Sequence, residues 1–255
     1  MYHFFVEENS INGDEIIISG SDYNHAVNVL RLRTGEKIMV SDESGTDYYC
    51  TVGEAGSTGL KVHIDEKSSE NHELPARVTL YQSLPKSDKM ELIIQKATEL
   101  GVTDIVPVES RNCIMKLEPK KTASKIVRWQ AIAEAAAKQS KRSVIPVVHD
   151  PMSFVDAVRQ AETESGVRII PYEDERGMAG LCEAIISFIP GADIAVFVGP
   201  EGGYDRMEIR HAINHGISPV SLGKRILRAE TAAISILSLI MVRLEIAADT
   251  GFEES

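Results

Sequence analysis

The chain changes its rhythm near residue 72, and that change most constrains its fold. From residue 77 onward, apolar runs of two lengths alternate. Residues 78–84, 102–108, 144–148, 167–171, 194–198 and 217–222 read as strands. Residues 88–100, 122–138, 154–163, 178–188, 207–215 and 231–248 read as helices, several of them stopped by a glycine (Gly101, Gly166, Gly216). Strict alternation of strand and helix predicts an α/β domain, a mainly parallel sheet with helices on its faces. The first 70 residues are built differently. Short runs at 15–18, 37–40, 48–52 and 60–64 are broken at Asn12-Gly13, Gly35, Ser44-Gly45 and Gly56. Many short strands with regular turns predict a small β-barrel, with one helical exception over 22–32. Residues 65–75, DEKSSENHELP, read as a polar linker, so the expected domains are 1–72 and 73–255.

Composition narrows the classes. A chain of 255 residues can bury a core of real size. Cys50, Cys113 and Cys182 are odd in number and far apart, which argues against a disulfide framework and a cysteine metal site, and fits a reducing cytoplasm. The N-terminus has no basic region followed by an apolar run, so no signal peptide is expected. The apolar stretch 229–248 is interrupted by Glu230, Arg243 and Glu245; it reads as a buried helix, not a membrane span. The net charge of −11 alone counts against a nucleic-acid partner, but its distribution does not. Residues 1–76 carry 5 basic and 14 acidic groups, 77–149 carry 13 and 7, and 150–255 carry 9 and 17. A basic middle is flanked by acidic ends, and local potential decides where a polyanion docks.

Two turns in the stretch IAVFVGPEGGYDRMEIRHAINHGISPVSLGKRILRAETAA (194–233) carry the chemistry. Each follows a strand-like run and precedes a helix-like one, so both belong at the C-terminal edge of a parallel sheet, where open α/β folds bind ligands. The first, Gly199-Pro200-Glu201-Gly202-Gly203, fits neither the P-loop nor the G-x-G-x-x-G fingerprint. Pro200 stiffens it, Gly202 and Gly203 let a ligand approach the main chain, and Glu201 places an acid at the mouth. A plain strand-to-helix connection would explain this turn alone. The second, Leu222 to Arg228, adds Lys224, Arg225 and Arg228, and arginine suits bidentate contact with carboxylate, phosphate or a base edge. Asp205 and Glu208 form a capping box that starts the helix after the first turn. Thr231 is placed to cap the last helix or touch a ligand. That helix is apolar almost all round, as one buried in a core or against a partner would be. His211 and His215 have zinc-helix spacing but no third ligand and no H-E-x-x-H motif, so no metal is expected.

In these two turns the chain resembles the small-subunit ribosomal RNA uridine-N3 methyltransferases, a family of the knotted SPOUT superfamily. The resemblance also rests on HAVNVLRLR (25–33), QSLPK (82–86), QKATELGV (95–102), Arg128-Trp129 and AAKQSKR (136–142), in order along nearly the whole chain. Tyr204 and Ala229 depart mildly from the family's usual Phe and Thr. The resemblance implies a PUA-like β-barrel at 1–72 and a SPOUT α/β domain with a C-terminal trefoil knot over roughly 167–248. It implies a homodimer whose sites lie near the subunit boundary. It implies S-adenosyl-L-methionine held by Pro171 and Tyr172, by Gly199, Pro200, Glu201 and Gly202, and by Leu222, Gly223, Ile226, Leu227 and Thr231. The implied substrate is 16S ribosomal RNA within the small ribosomal subunit, methylated at N3 of a uridine, in the cytoplasm and with no membrane or metal involved. Loss of the N3 proton leaves an anion that a cation near O2 or O4 stabilises; Arg228 is the expected residue, with Glu201 orienting it or accepting the proton. Arg31, Arg33, Lys86, Arg111 and Arg142 are expected to hold phosphates, with His25 and Lys138 beside them. Two other readings stay open: a knotted methyltransferase acting on another ribosomal or transfer RNA nucleotide, and a non-catalytic RNA-binding or assembly factor.

Overall fold

The computed structural model describes residues 1–86 and 88–251, with no side-chain account of Pro119. These residues form two compact units: residues 1–73 together with 137–144, and residues 74–136 together with 145 onward.

The first unit holds β1 (Tyr2–Val6), β2 (Ile11–Asn12), β3 (Glu15–Ile18), a short helix α1 (Gly20–Asn24) that continues as a π-turn over His25–Val29, then β4 (Lys37–Asp42), β5 (Asp47–Ala55) and β6 (Leu60–Lys67). The sheet order is β1-β4-β5-β6-β3-β2, antiparallel except for β1 beside β4. β1 and β2 stand at opposite ends of that order and do not pair, so among the described residues the expected barrel is an open six-stranded sheet. Its core is Phe4, Ile16, Ile18, Ile38, Val40, Cys50, Val52, Leu60 and Val62, the inward half of each alternating strand. Burial pushes the Cys50 thiol up to about 12. The polar stretch read as a linker does structural work here. Glu73 accepts from the amides of Ser143 and Val144 at 2.9 and 3.1 Å and from the Arg142 guanidinium, so it fastens 137–144 to the unit. Ser143 Oγ donates to Asp47 at 2.7 Å, Ser41 Oγ donates to the other oxygen of Asp47, and His3 Nε2 meets Ser41 Oγ at 2.6 Å.

The second unit follows the predicted alternation: β7 (Arg77–Ser83), α2 (Lys89–Glu99), β8 (Asp104–Glu109), α3 (Pro119–Ser140), β9 (Val147–Val148), β10 (Met152–Ser153), α4 (Phe154–Glu164), β11 (Val167–Pro171), α5 (Ala179–Ile186), β12 (Asp193–Val198), α6 (Arg206–Asn214), β13 (Ser218–Val220) and α7 (Ala229–Thr250). The sheet is parallel throughout, in the order β10-β8-β7-β12-β11-β13, with β9 also beside β8. Successive strand residues point to opposite faces. Ile194, Val196 and Val198 join the core of α2, α3, α5 and α7, while Ala195 and Phe197 join that of α4 and α6. Tyr81 and Phe197 stack on the second face with centroids 4.5 Å apart.

α7 meets the core with one face only. Ala229, Ala233, Ile236, Leu237, Ile240, Leu244 and Ala247 pack inward at helical spacing, but Val242 and Ile246 lie about half exposed, at 46% and 52%. By length and composition α7 could cross a membrane; here one of its faces is committed to the core.

Candidate active site

In a parallel sheet the strands end on one edge, and the register sets Pro171 of β11 beside Val220 of β13. The loops after β11, β12 and β13 therefore converge and line a cleft of about 630 Å³. Its walls include Pro171 and Tyr172, the whole turn Gly199–Tyr204, and Leu222 through Arg228.

The glycines of the first turn answer to close neighbours. A Cβ on Gly199 would lie 3.2 Å from the Tyr204 ring, and one on Gly202 3.2 Å from Asn112 Cβ. At Gly203, φ is +66°, and a Cβ would sit 2.1 Å from Glu173 Oε1. The left-handed φ favours glycine, and any side chain there would also push the exposed Glu173 carboxylate aside. The Asn112 amide donates to the carbonyls of Gly202 and Gly203 at 3.3 and 3.2 Å. Below the turn, Tyr204 is buried and its hydroxyl accepts from Ser83 Oγ at 3.3 Å; burial raises its pKa well above the usual phenol value. Beyond the turn the capping box forms: Asp205 accepts from the Met207 amide and Glu208 from the Asp205 amide, both at 2.9 Å. Arg111 locks onto it, its amide donating to Glu208 at 2.8 Å and its guanidinium to Asp205 at 3.1 Å.

Glu201 is engaged away from Arg228. It accepts from the Lys86 amide at 3.1 and 3.2 Å and pairs with Lys89 Nζ at 3.1 Å. Partial burial raises its pKa, but these hydrogen bonds and one from its own amide outweigh that and hold it below the usual carboxylate range. A carboxylate so held is a weak proton acceptor. Arg228 lines the cleft as the residue capping α7, exposed, with no side-chain partner among the described residues. Ile226, 89% exposed, stands in the same wall. The lining residues that the sequence reading does not name individually include Glu173, Asp174 and Arg176. The signal for them was the charged run EDER directly after Pro171-Tyr172. Thr231 is exposed in the first turn of α7 and is not among the residues lining the cleft; Arg228, not Thr231, occupies the capping position.

The residues expected to hold RNA divide into two groups. His25, Arg31 and Arg33 are exposed in the first unit, and Lys86 and Arg111 in the second. Lys138 and Arg142 require correction. Lys138 Nζ pairs with Asp22 at 2.8 Å, and Arg142 is only 2% exposed and bound to Glu73. Buried charge such as that of Arg142 demands a partner, and both cations are tied to acids within the first unit. His211 and His215 pack ring to ring at 4.3 Å, and no group of three or more His, Cys, Asp or Glu is placed to hold a metal among the described residues.

A parallel α/β domain with a glycine-lined, mixed-charge cleft at its C-terminal edge defines a class of enzyme domain that binds a small charged organic ligand. Comparison with known proteins then fixes the family. The RNA methyltransferase domain matches residues 72–241, and the RNA methyltransferase PUA domain matches residues 18–65. A Bacillus subtilis protein named ribosomal RNA small subunit methyltransferase E is 33% identical over 96% of this chain and 98% of its own. The protein of that name from Mesomycoplasma hyopneumoniae is also 33% identical, over 93% and 98%. The crystal structure of such a methyltransferase E from Neisseria gonorrhoeae, bound to S-adenosyl methionine, superposes with a TM-score of 0.83 at 31% identity, covering 95% of this chain and 97% of that one. The chain belongs to the RNA methyltransferase family defined by these proteins.

Proposed function

We propose that this protein transfers a methyl group from S-adenosylmethionine to N3 of a uridine in small-subunit ribosomal RNA. The observation that carries the reading is the cleft itself: three loops of a parallel sheet, glycines at the points of closest approach, and acids and cations together, in a chain whose relatives bear that enzyme name. The residues fit the cofactor. Glu173 and Asp174 suit an ammonium and sugar hydroxyls, Lys224 and Arg225 suit a carboxylate, and Ile226 and Leu222 offer apolar cover for a base. Bound there, the cofactor would supply an electrophilic methyl group on a sulfonium.

The protein's own task is to align the uridine and manage charge. Arg228 faces the cleft free of any carboxylate, so its guanidinium is available to hold the negative charge that gathers on uracil oxygens as N3 loses its proton. Glu201 holds the turn in shape, and the N3 proton passes to solvent. Arg31 and Arg33 with His25, and Lys86 with Arg111, contact phosphates without reading sequence. N3 lies on the pairing edge, so the uridine enters unpaired. The reading carries further family properties: a trefoil knot through roughly 167–248, a PUA-like role for the open first sheet, and a cytoplasmic homodimer formed through α7, whose exposed Val242 and Ile246 support that interface. The test is methyl transfer from labelled cofactor to small subunits lacking the modification, followed by mapping of the labelled base. Label on a transfer RNA or another nucleotide would overturn the substrate, and absence of label would overturn the activity.

A further inference from the structure

We propose that Lys89 is a positioning residue that sets the spacing of the two cofactor loops by bridging Glu201 and Glu230. The proposal rests on the S-adenosylmethionine reading of the cleft. Lys89 opens α2, where the helix dipole disfavours a cation, so its place needs another cause. That cause is a pair of acids. Lys89 Nζ lies 3.1 Å from Glu201 Oε1 and 3.1 Å from Glu230 Oε2. Glu201 belongs to the turn after β12, and Glu230 to the first turn of α7, directly after the 222–228 loop. One ammonium thus joins the turn after β12 to the start of α7, from a third element. Neither Lys89 nor Glu230 lines the cleft, so neither touches the cofactor. All three side chains are largely covered, with exposures of 29%, 24% and 15% for Lys89, Glu201 and Glu230. Two carboxylates within reach of one ammonium repel each other once it is gone, an effect that their partial exposure weakens without removing. The loops then part, and the cleft loses its width. Glu201 is also anchored by the Lys86 amide, so the 222–228 loop is the side that moves.

The experiment measures cofactor affinity by calorimetry, and KM and kcat for methyl transfer, in four forms: wild type, Lys89→Met, Lys89→Arg and the double variant Lys89→Met with Glu230→Gln. Lys89→Met is expected to raise the dissociation constant for S-adenosylmethionine at least about tenfold, with kcat at saturating cofactor nearly unchanged. Lys89→Arg restores affinity because it keeps the charge. The double variant recovers part of it because one of the two facing charges is removed. Wild-type affinity in Lys89→Met would overturn the proposal, as would Lys89→Arg binding as weakly as Lys89→Met, or a double variant weaker than Lys89→Met alone. If Lys89→Met does not fold, Lys89→Arg decides: near wild-type affinity supports the bridge, and a tenfold loss overturns it. Wild-type protein that binds no S-adenosylmethionine would instead sink the cofactor reading itself.

Discussion

At the scale of the residue, Arg228 and Gly203 make opposite demands. In the proposed reaction Arg228 is used for its charge, and its backbone geometry in β space suits any residue. Arg228→Ala is therefore expected to fold normally, bind S-adenosylmethionine, and lose about a hundred- to a thousandfold in kcat; single-turnover methylation with calorimetry of the cofactor checks both halves. Gly203 is used for what it lacks. Gly203→Ala meets a left-handed φ and the Glu173 carboxylate at once, so strain of about 1–3 kcal/mol is expected, read as weaker cofactor binding and a lowered Tm. The glycines and cations of both turns were legible in the sequence because they are local: strand, turn, helix. Their partners were not. Asn112 reaches Gly202 from 90 positions away and Glu201 meets Lys86 across 115, and no spacing rule connects such pairs. The same gap explains Arg142, whose basic neighbourhood reads as a phosphate grip although Glu73, 69 positions away, holds it.

At the scale of the element, the alternating pattern of 77–251 gave every main strand and helix of the second unit, because periodicity is written by burial. What it lost lay at the ends. α3 begins at Pro119 rather than 122, a proline being suited to a first helical position. β10, two residues long, has too little pattern to see. The capping box of α6 was legible and is formed; Asp205→Ala is expected to destabilise the second unit by about 1 kcal/mol, measured by urea unfolding, with Arg111 released as well. α7 was read as apolar all round, yet packing uses one face. Replacing Val242 and Ile246 together by Asp is expected to shift the particle from dimer to monomer mass in light scattering while leaving the helix folded; a dimer that persists would place the interface elsewhere.

At the scale of the whole molecule, the order of elements was legible and the boundaries of the units were not. The first sheet is open rather than closed, and eight residues from the end of α3 and beyond it belong to the first unit. Its interior gives a pH dependence. Burial lowers His3 from 6.5 to about 4, with the Asp47 charge opposing and the Lys138 charge assisting. The folded state thus favours neutral His3, while the unfolded chain protonates near 6.5. Stability is full above about pH 6.5 and declines as pH falls through about 4, by roughly 3 kcal/mol at the limit. Urea unfolding at pH 7.5 and pH 5 measures it, and His3→Gln should flatten the difference.

The loop of contacts around Glu73 also has a consequence in time. A ribosome making this chain releases residues 1–73 well before 137–144, and Arg142 and Ser143 are missing from the first unit until then. At ordinary rates of synthesis the delay is about 4–14 s. Through that interval Glu73 and Asp47 lack partners that the finished unit gives them, so the first unit to emerge cannot close until the end of α3 has followed it.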